Sequence, residues 1–167
     1  MKWQAHNWLI PLDDMLVAGN VAVSDGGGLF VTDSLAVAMV SSVLDDNRAE
    51  ARGGGLLLQQ RARVKLVEVV LAHNEARSGA AAFIATDSEL HCDECEVVGN
   101  TAASMGGAFA VDGVRTMVRT MASLSRSVVM ANSAVVAAGA FIARTAGPQG
   151  IGLPSLCVTS CLLVRLC

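Results

Sequence analysis

Apolar and polar residues alternate along short stretches of this chain, and glycine or polar residues separate one stretch from the next. In GGGLFV, Leu29 and Val31 fall on one face of an extended chain, and in GGAFAV so do Phe109 and Val111. This alternation is typical of β-strands, because successive side chains on a strand point to opposite faces. The pattern predicts a protein built from many short strands, with the alternate apolar residues inside.

The pattern also repeats, because an asparagine recurs at intervals of 27, 27, 26 and 32 residues. Each copy is preceded, three positions earlier, by valine or leucine, and is followed by three consecutive glycine or alanine residues. The asparagines are Asn20, Asn47, Asn74, Asn100 and Asn132. Self-similarity with a period of this size predicts a solenoid in which each repeat forms one coil.

Side chains larger than a methyl group are excluded from the triplets that follow the asparagines. We align the triplets as Gly26–Gly28, Gly53–Gly55, Ala80–Ala82, Gly106–Ala108 and Ala138–Ala140, each followed by a large apolar residue nine positions after its asparagine: Leu29, Leu56, Phe83, Phe109 and Phe141. Glycine permits positive φ and close approach of neighbouring backbones. We therefore predict crowded, tight turns at Gly26, Gly27, Gly28, Gly53, Gly54, Gly55, Gly106, Gly107 and Gly139.

Two solenoid folds place an asparagine once in each coil, the leucine-rich repeat and the parallel β-helix. Leu66, Val69 and Leu71 fit the apolar spacing of a leucine-rich repeat, whereas Ser42 and Ser127 break it in other coils. That fold also needs a helix where the triplets fall, and each helical glycine costs about 1 kcal/mol relative to alanine. We predict an all-β fold, a right-handed parallel β-helix of about five to six coils of about 27 residues, with the leucine-rich repeat as the alternative.

The repeat divides the chain into three parts. Residues 1–14 are expected to be an irregular N-terminal segment, 15–145 the repeat array, and 146–167 a partial, truncated terminal coil. The last interval is longer than the others, and we place its extra residues in a surface loop between Asp112 and Ser127. Unpaired coils at the ends of an array leave strand edges open, which allows end-to-end self-association.

Composition narrows the functional classes. Apolar residues make up 53% of the chain, but aromatic residues only 4%, which suits a narrow core of small and branched side chains. The net charge of -3 lacks the basic footprint of a nucleic-acid-binding protein. No uncharged apolar stretch is long enough to span a membrane, and no apolar segment of signal-peptide type precedes Pro11.

We assign the repeated asparagines a structural role. Stacked coils lie about 4.8 Å apart, so equivalent side chains of successive coils meet. The amides of Asn20, Asn47, Asn74, Asn100 and Asn132 can then bond to one another in a ladder along the solenoid axis. Such a ladder would satisfy the polar groups of a buried turn.

The tripeptide Thr-Asp-Ser occurs twice, at 32–34 and 86–88, at similar distances beyond an asparagine. These residue types favour turns because their side chains bond to nearby backbone groups. We expect a turn at both places, on equivalent corners of two coils.

The segments VVGNTAASMGGAFAV and VLDDNRAEARGGGLLL resemble the repeats of the polymorphic outer membrane protein adhesins, which belong to the pectin-lyase-like superfamily of right-handed β-helices. The resemblance covers about residues 15 to 145. It implies a non-catalytic structural or adhesive segment of a longer protein, displayed outside the cell, with a glycan or a cell-surface protein as partner. Enzymes on this fold are polysaccharide lyases or glycoside hydrolases, and these are the alternative function.

Two glutamates are the candidate catalytic pair. Glu68 and Glu94 both lie six residues before an asparagine, so they can project side by side from successive coils. Adjacent carboxylates raise one another's pKa, which suits acid catalysis. A solvated surface pair, neutralised by Lys65 and His91 nearby, is the interpretation that we favour, since structural ion networks contain the same residues.

Cys92 and Cys95 form a single Cys-x-x-Cys motif, the candidate metal or redox site. A zinc signature requires a second such pair at fixed spacing. Other coils place Leu66 and Val69 at the same two positions, so we favour core packing by two small apolar thiols over metal binding. The chain contains no phosphate loop and no calcium-binding nonapeptide, and we predict no cofactor.

Overall fold

The computed structural model describes residues 9–113, 120–144 and 155–159. Every regular element in these ranges is a β-strand, and every strand pairing is parallel. The strands form four sheets, and neighbours within a sheet come from successive coils.

The strands are numbered along the chain. The first sheet contains β1 (Leu9–Asp13), β5 (Ala36–Val40), β9 (Arg63–Val67), β13 (Glu89–Asp93), β17 (Met121–Ser125) and β21 (Ser155–Thr159). The second contains β2 (Leu16–Ala18), β6 (Val43–Asp45), β10 (Val70–Ala72), β14 (Glu96–Val98) and β18 (Val128–Met130). The third contains β3 (Val21–Ala22), β7 (Arg48–Ala49), β11 (Glu75–Ser78), β15 (Thr101–Met105) and β19 (Ser133–Val136). The fourth contains β4 (Leu29–Val31), β8 (Leu56–Leu58), β12 (Ala82–Ala85), β16 (Phe109–Gly113) and β20 (Ala140–Arg144).

The prediction of a parallel β-solenoid is confirmed. Coil 1 is β1–β4, and coils 2, 3, 4 and 5 are the next four sets of four strands, after which β21 adds a sixth strand to the first sheet. The leucine-rich repeat is wrong, because the stretch after each asparagine is extended and the described residues contain no helix. Right-handedness stays a prediction.

The array reaches further towards the N-terminus than the sequence indicated. Leu9–Asp13 was assigned to the irregular segment 1–14, but it forms β1 and pairs in register with Ala36–Val40. The extra residues of the fourth interval fall partly on 114–119, which lie outside the described residues. From Met121 to Ser125 the chain is again regular and pairs with β13.

The inward side chains of all four sheets share one continuous core. The aliphatic residue three positions before each asparagine sits at its centre, and Leu44, Leu71 and Val97 have no exposed surface. Leu66, Leu90 and Ile84 are equally buried on the neighbouring sheets. Stacked branched side chains of this kind fill a narrow solenoid and fix its strand register.

The asparagines form a hydrogen-bonded ladder through the core side of the turn between the second and third sheets. Each Nδ2 donates to the Oδ1 of the next asparagine, at 2.8 Å from Asn20 to Asn47 and 3.0 Å from Asn47 to Asn74. The ladder continues through Asn100 to Asn132 at 3.0 and 2.9 Å.

Each interior amide uses all of its hydrogen-bonding capacity. Asn74 Nδ2 donates to Asn100 Oδ1 and to the Leu44 carbonyl, and Asn74 Oδ1 accepts from both the backbone N–H and the Nδ2 of Asn47. Asn74 is fully buried, where an unpaired amide group would be costly. The constrained aliphatic position therefore supplies a carbonyl to the ladder as well as a side chain to the core.

The alignment of the triplets was wrong in coils 3 and 5. Phe83 pairs with Leu57 rather than with Leu56, and it is Ala82 that pairs with Phe109. In coil 3 the positive φ belongs to Gly79, and in coil 5 to Ala137, each one residue earlier than the alignment had it. The true triplets there are 79–81 and 137–139, which are still made only of glycine and alanine.

A missing residue explains the shift. The positive-φ residue follows its asparagine by six positions at Gly26, Gly53 and Gly106, but by five at Gly79 and Ala137. The pairing of β11 with β15 shifts register after Ala76, where the chain of coil 3 is shorter. Phe83 consequently turns away from the main core and joins a second buried cluster with Leu57, Ala85 and Ala110 on the outer side of the fourth sheet.

Crowding at the triplet is greatest at its second position. A Cβ added to Gly27 would lie 2.5 Å from the Gly54 carbonyl oxygen and 2.6 Å from that of Arg48. A Cβ on Gly54 would lie 2.8 Å from the Ala80 oxygen and closer still to the Glu75 oxygen. The second residue is glycine in the three coils with the longer connection and alanine (Ala80, Ala138) in the two shorter ones.

Candidate functional site

The outer face of the first sheet carries a group of polar side chains that interact across neighbouring strands. Alternate residues of β9, β13 and β17 point inward and are buried, such as Leu66, Cys92 and Leu124. The residues between them project outward as stacked columns. We call the outward residues Arg63, Lys65, Glu89, His91 and Ser123 the outer-face cluster.

Backbone register brings the cluster together. Arg63 is paired with Glu89, Lys65 with His91, and His91 with Ser123, each on adjacent strands. Side chains opposite one another on neighbouring strands are close enough to interact directly. A sequence signal for this cluster existed, because Lys65, His91 and Ser123 each lie nine residues before an asparagine.

The cluster is an open, connected polar network. The Arg63 Nε is 3.6 Å from Glu89 Oε2, and the His91 Nε2 is 3.8 Å from the same oxygen. On its other side, His91 Nδ1 is 2.6 Å from Ser123 Oγ. Its imidazole thus lies between a carboxylate and a hydroxyl, an arrangement that can move a proton or hold a polar ligand.

Lys65 differs from the other four residues. It is exposed, and within the part of the chain that the structure describes its ammonium group makes no ion pair or hydrogen bond. The nearby Glu89 is occupied by Arg63 and His91. The cluster therefore presents a free ammonium group beside an imidazole and a hydroxyl, which together suit an anionic, hydroxyl-rich ligand.

The predicted catalytic pair lies beside this face, at the corner between the first and second sheets. Glu68 and Glu94 are the corner residues of coils 3 and 4, both with φ of 54°. Glu68 accepts from Ser41 Oγ at 3.2 Å, whereas Glu94 pairs with Arg126 at 2.8 Å. Each carboxylate thus has a different partner in a neighbouring coil, and neither partner is Lys65 or His91.

Arg126 also binds the carboxylate next to Glu94. Its guanidinium lies 2.6 Å from Asp93 Oδ2, so that one cation bridges two consecutive acidic residues. The other oxygen, Asp93 Oδ1, is enclosed and has no hydrogen-bond partner within the described part of the chain. Arg126 therefore offsets one of the two negative charges at this corner and ties coil 4 to coil 5.

A shallow depression of about 370 Å³ lies at the opposite end of the first sheet, where the chain enters it from the fourth. Asp33, Ser34, Gln60, Arg61 and Asp87 line it, together with Thr86. Both predicted Thr-Asp-Ser turns are present here, and their central residues have positive φ. Ser88 Oγ caps the turn by accepting from the backbone N–H of Ala62 at 3.1 Å.

Two serines at the corners between the first and second sheets have a structural role that the sequence did not reveal. Ser42 Oγ accepts from the Met15 backbone N–H at 3.0 Å and donates to the Val40 carbonyl at 2.6 Å. Ser127 accepts from the Cys95 N–H in the same way. The serines that spoil a leucine-rich pattern are hydrogen-bonding turn residues, and their signal was their shared position five residues before an asparagine.

Cys92 and Cys95 lie in the core of coil 4, with 3% and 2% of their surface exposed. Neither forms a disulfide in this structure. Among the described residues, no group of three or more His, Cys, Asp or Glu side chains is arranged to hold a metal ion. The thiols pack where other coils have aliphatic side chains or a serine.

Arg52 of coil 2 links three coils at the corner between the third and fourth sheets. Arg52 binds Asp25 with two hydrogen bonds, Nε to Oδ1 at 3.0 Å and NH2 to Oδ2 at 2.6 Å, and its guanidinium carbon lies 5.3 Å from the ring centre of Phe83. The Arg52 hydrogen bonds lower the pKa of Asp25 below its usual value, and partial burial opposes them. The same bonds raise the pKa of Arg52.

The fold defines the chain as a parallel β-solenoid protein. Comparison of the sequence and structure with models of known families, with curated proteins and with solved structures gave no match. Within the described ranges, none of the secondary structure is a helix of the length and apolarity that crossing a bilayer requires.

Proposed function

We propose that this chain is a non-catalytic structural or adhesive segment of a longer protein, and that the outer face of its first sheet binds an acidic glycan. The observation that carries the proposal is the outer-face cluster, in which Lys65 is a free cation next to His91, and His91 in turn contacts Ser123. A glycan carboxylate can pair with the ammonium group, and sugar hydroxyls can bond to the imidazole and the serine hydroxyl.

The scaffold supports this use. Strands of the first sheet are held in register by the buried residues beneath them, so the outward columns keep fixed spacings along the solenoid axis. A rigid, regular face loses little conformational entropy when an extended ligand lies along it. The face is open rather than a deep pocket, so we expect affinity to come from several weak contacts along a polymer.

Display outside the cell follows from the resemblance of the repeats to those of polymorphic outer membrane protein adhesins. In such a setting the solenoid would act as a stiff arm that carries the binding face. A cell-surface protein with an acidic stretch is the other partner compatible with the same cluster. Both partners would place a carboxylate on Lys65, so salt and free acidic chains would weaken the binding of either one. The two are distinguished by measuring binding to a purified acidic glycan and to an acidic peptide separately.

The direct test is binding of the purified chain to immobilised polygalacturonate, with dextran as the neutral control. We expect retention by the acidic polymer only, weakened at least about tenfold by Lys65→Ala, because a charge-assisted contact contributes roughly 1.5 kcal/mol or more. Arg77→Ala removes the same charge from the exposed face of β11 and should leave binding unchanged. Equal losses in both variants would show non-specific attraction and overturn the proposal.

A polysaccharide hydrolase or lyase is the second candidate, and one observation favours it. Glu89, His91 and Ser123 align a carboxylate, an imidazole and a hydroxyl, groups that can act in acid–base catalysis. New chain ends released from any polysaccharide in the same panel, and abolished by His91→Ala in a folded protein, would establish this function in place of the first.

A further inference from the structure

Cys92 and Cys95 are brought together by the corner between the first and second sheets. Cys92 is an inward residue of β13, and Cys95 is the first inward residue after the corner residue Glu94. Both belong to the main core cluster. The chain reverses its inward and outward alternation at the corner, so two residues three positions apart face the same interior.

The two thiols face the same part of the core, three residues apart across the corner. The neighbouring Cys95 thiol, together with burial, raises the pKa of Cys92 well above its usual value. The Cys92 thiol in turn lowers the pKa of Cys95. Of the pair, Cys95 is therefore the better nucleophile, since the thiolate is the reactive form.

Neither core packing nor turn capping requires this pair. At the position of Cys92, coils 2, 3 and 5 have Met39, Leu66 and Leu124. At the position of Cys95, Ser42 and Ser127 cap the corner by donating to the carbonyl two residues earlier, as Cys95 Sγ does to Asp93 at 3.5 Å. Leucine would thus be sufficient for core packing and serine for capping the corner, whereas coil 4 has a thiol at both positions.

We infer that Cys92 and Cys95 are a site of reversible disulfide formation, with a small-molecule disulfide as the oxidant. The Cys95 thiolate attacks one sulfur of the reagent and releases the first reagent thiol, which leaves a mixed disulfide on Cys95. Cys92 then attacks the Cys95 sulfur, loses its proton and releases the second reagent thiol. Two cysteine thiols are oxidised to one disulfide, and one reagent disulfide is reduced to two thiols.

The bond would join the end of β13 to the start of β14 and lock the corner that Arg126 already bridges from outside. Because both sulfurs are buried, the reagent reaches them through local opening of the coil. The reaction should therefore be slow in the folded protein and its product resistant to reduction.

The test uses a parent variant in which Cys157, Cys161 and Cys167 are replaced by serine. The parent is equilibrated with mixtures of oxidised and reduced glutathione, trapped by alkylation, digested without reductant and analysed by mass spectrometry. We expect the peptide that holds Cys92 and Cys95 to carry an internal disulfide and no persistent glutathione adduct. The equilibrium constant for its formation should be at least about tenfold larger in the folded protein than in urea, because the fold holds both thiols on the inner side of one corner.

A folded-state equilibrium constant equal to or below that of the unfolded chain would overturn the inference, as would a stable glutathione adduct. Cys95→Ser is the matched control, because it keeps the cap found at Ser42 and Ser127 but removes the partner thiol. We expect it to fold and to leave Cys92 unmodified. If Cys95→Ser does not fold, Cys92→Leu, which installs the residue found at Leu66 and Leu124, replaces it, and Cys95 should then form the mixed disulfide and hold it.

Discussion

Coil 1 and coil 3 contain the same repeat, yet equivalent residues are buried to different extents. Leu71 has no exposed surface, whereas Val17 at the same position of coil 1 is only half-buried. Asn74 is fully buried and bonded to coils on both sides, whereas Asn20 is exposed and bonded to one. A residue's position in the repeat determines its hydrogen-bond partners and the face on which it lies. Its contribution to stability also depends on whether a coil is stacked on each side of it.

The outer surfaces differ as well. Leu16 of coil 1 is 71% exposed, whereas Val43 and Val70 at the equivalent position of coils 2 and 3 are half-buried. Fewer buried contacts mean a smaller free energy for local opening. Coil 1 should therefore open before coil 3, and substitutions should have larger effects in the inner coils.

The largest effect is expected from Gly54→Ala, which forces a methyl group against the Glu75 and Ala80 carbonyl oxygens in the interior of the array. Overpacking of rigid backbone should destabilise the chain by about 3 kcal/mol or more. The measurement is the free energy of unfolding in urea. Ala80→Gly, at the same position of coil 3, is the matched control and should cost no more than about 1 kcal/mol. Similar costs for both variants would contradict the conclusion that the second triplet position is more crowded in coils with the longer connection.

The next largest effect separates the two coils directly. Asn74→Leu should lower the free energy of unfolding by about 1 to 3 kcal/mol, because the Leu44 carbonyl and the Asn47 N–H lose their partners in a buried site. Asn20→Leu should cost about 0.5 kcal/mol, the low end for one net hydrogen bond. Equal losses at the two positions would show that the ladder contributes the same energy at its exposed end as in its interior.

A smaller effect tests the coupling of coil 1 to the coils behind it through Asp25 and Arg52. The pKa of Asp25 is lowered in the folded state, so its contribution is present above the unfolded pKa and is lost as pH falls through the folded value. Asp25→Asn should therefore be less stable near neutral pH by about 0.2 to 1 kcal/mol, the range for partly exposed ion pairs. Denaturation at a series of pH values should show the difference disappearing in acid, and a difference that persists there would exclude the ion pair as its cause.

The smallest effect should come from the exposed surface of coil 1. Leu16→Thr places a β-branched side chain, which suits a strand, at this position and removes apolar surface that is already in water, so we expect a change within about 0.5 kcal/mol. Val43→Thr, at the paired position of coil 2, is the comparison and should cost more because Val43 is half-buried. A Leu16 effect as large as that at Val43 would contradict the proposed gradient between the coils.

The sequence was sufficient to predict the coil period, the parallel sheets and the residues of the asparagine ladder, because each depends on side chains that recur at fixed spacing. It could not reveal that coils 3 and 5 are shorter after the asparagine. Gly79 stands directly before Ala80–Ala82, so four small residues in a row allow two alignments, and only backbone pairing distinguishes them. The alignment that we chose grouped Phe83 with the inward residues Leu56 and Phe109, whereas Phe83 belongs to the second cluster on the outer side of the fourth sheet.

The outer-face cluster and the position of the two cysteines were harder to predict, because they depend on the backbone rather than on recurring residue types. Arg63, Glu89 and Ser123 are ordinary surface residues in the sequence, and their meeting depends on which strand face each occupies. The Cys-x-x-Cys motif of Cys92 and Cys95 was interpreted as core packing by two small thiols, and the corner that turns both inward depends on the backbone conformation of Glu94. Residue type alone does not report either arrangement.

The amide ladder has a direction that bears on how such a chain can change length over generations. In the three interior asparagines, the side-chain oxygen accepts from the asparagine of the coil before it, and the side-chain nitrogen donates to the asparagine of the coil after it. A duplicated coil therefore enters the stack with a free acceptor on one side and a free donor on the other, and it restores the chain of bonds that it interrupts. Gene duplication or deletion in units of one coil thus leaves the interior complete, whereas the loss of a single residue is absorbed only outside the ladder, as coil 3 shows.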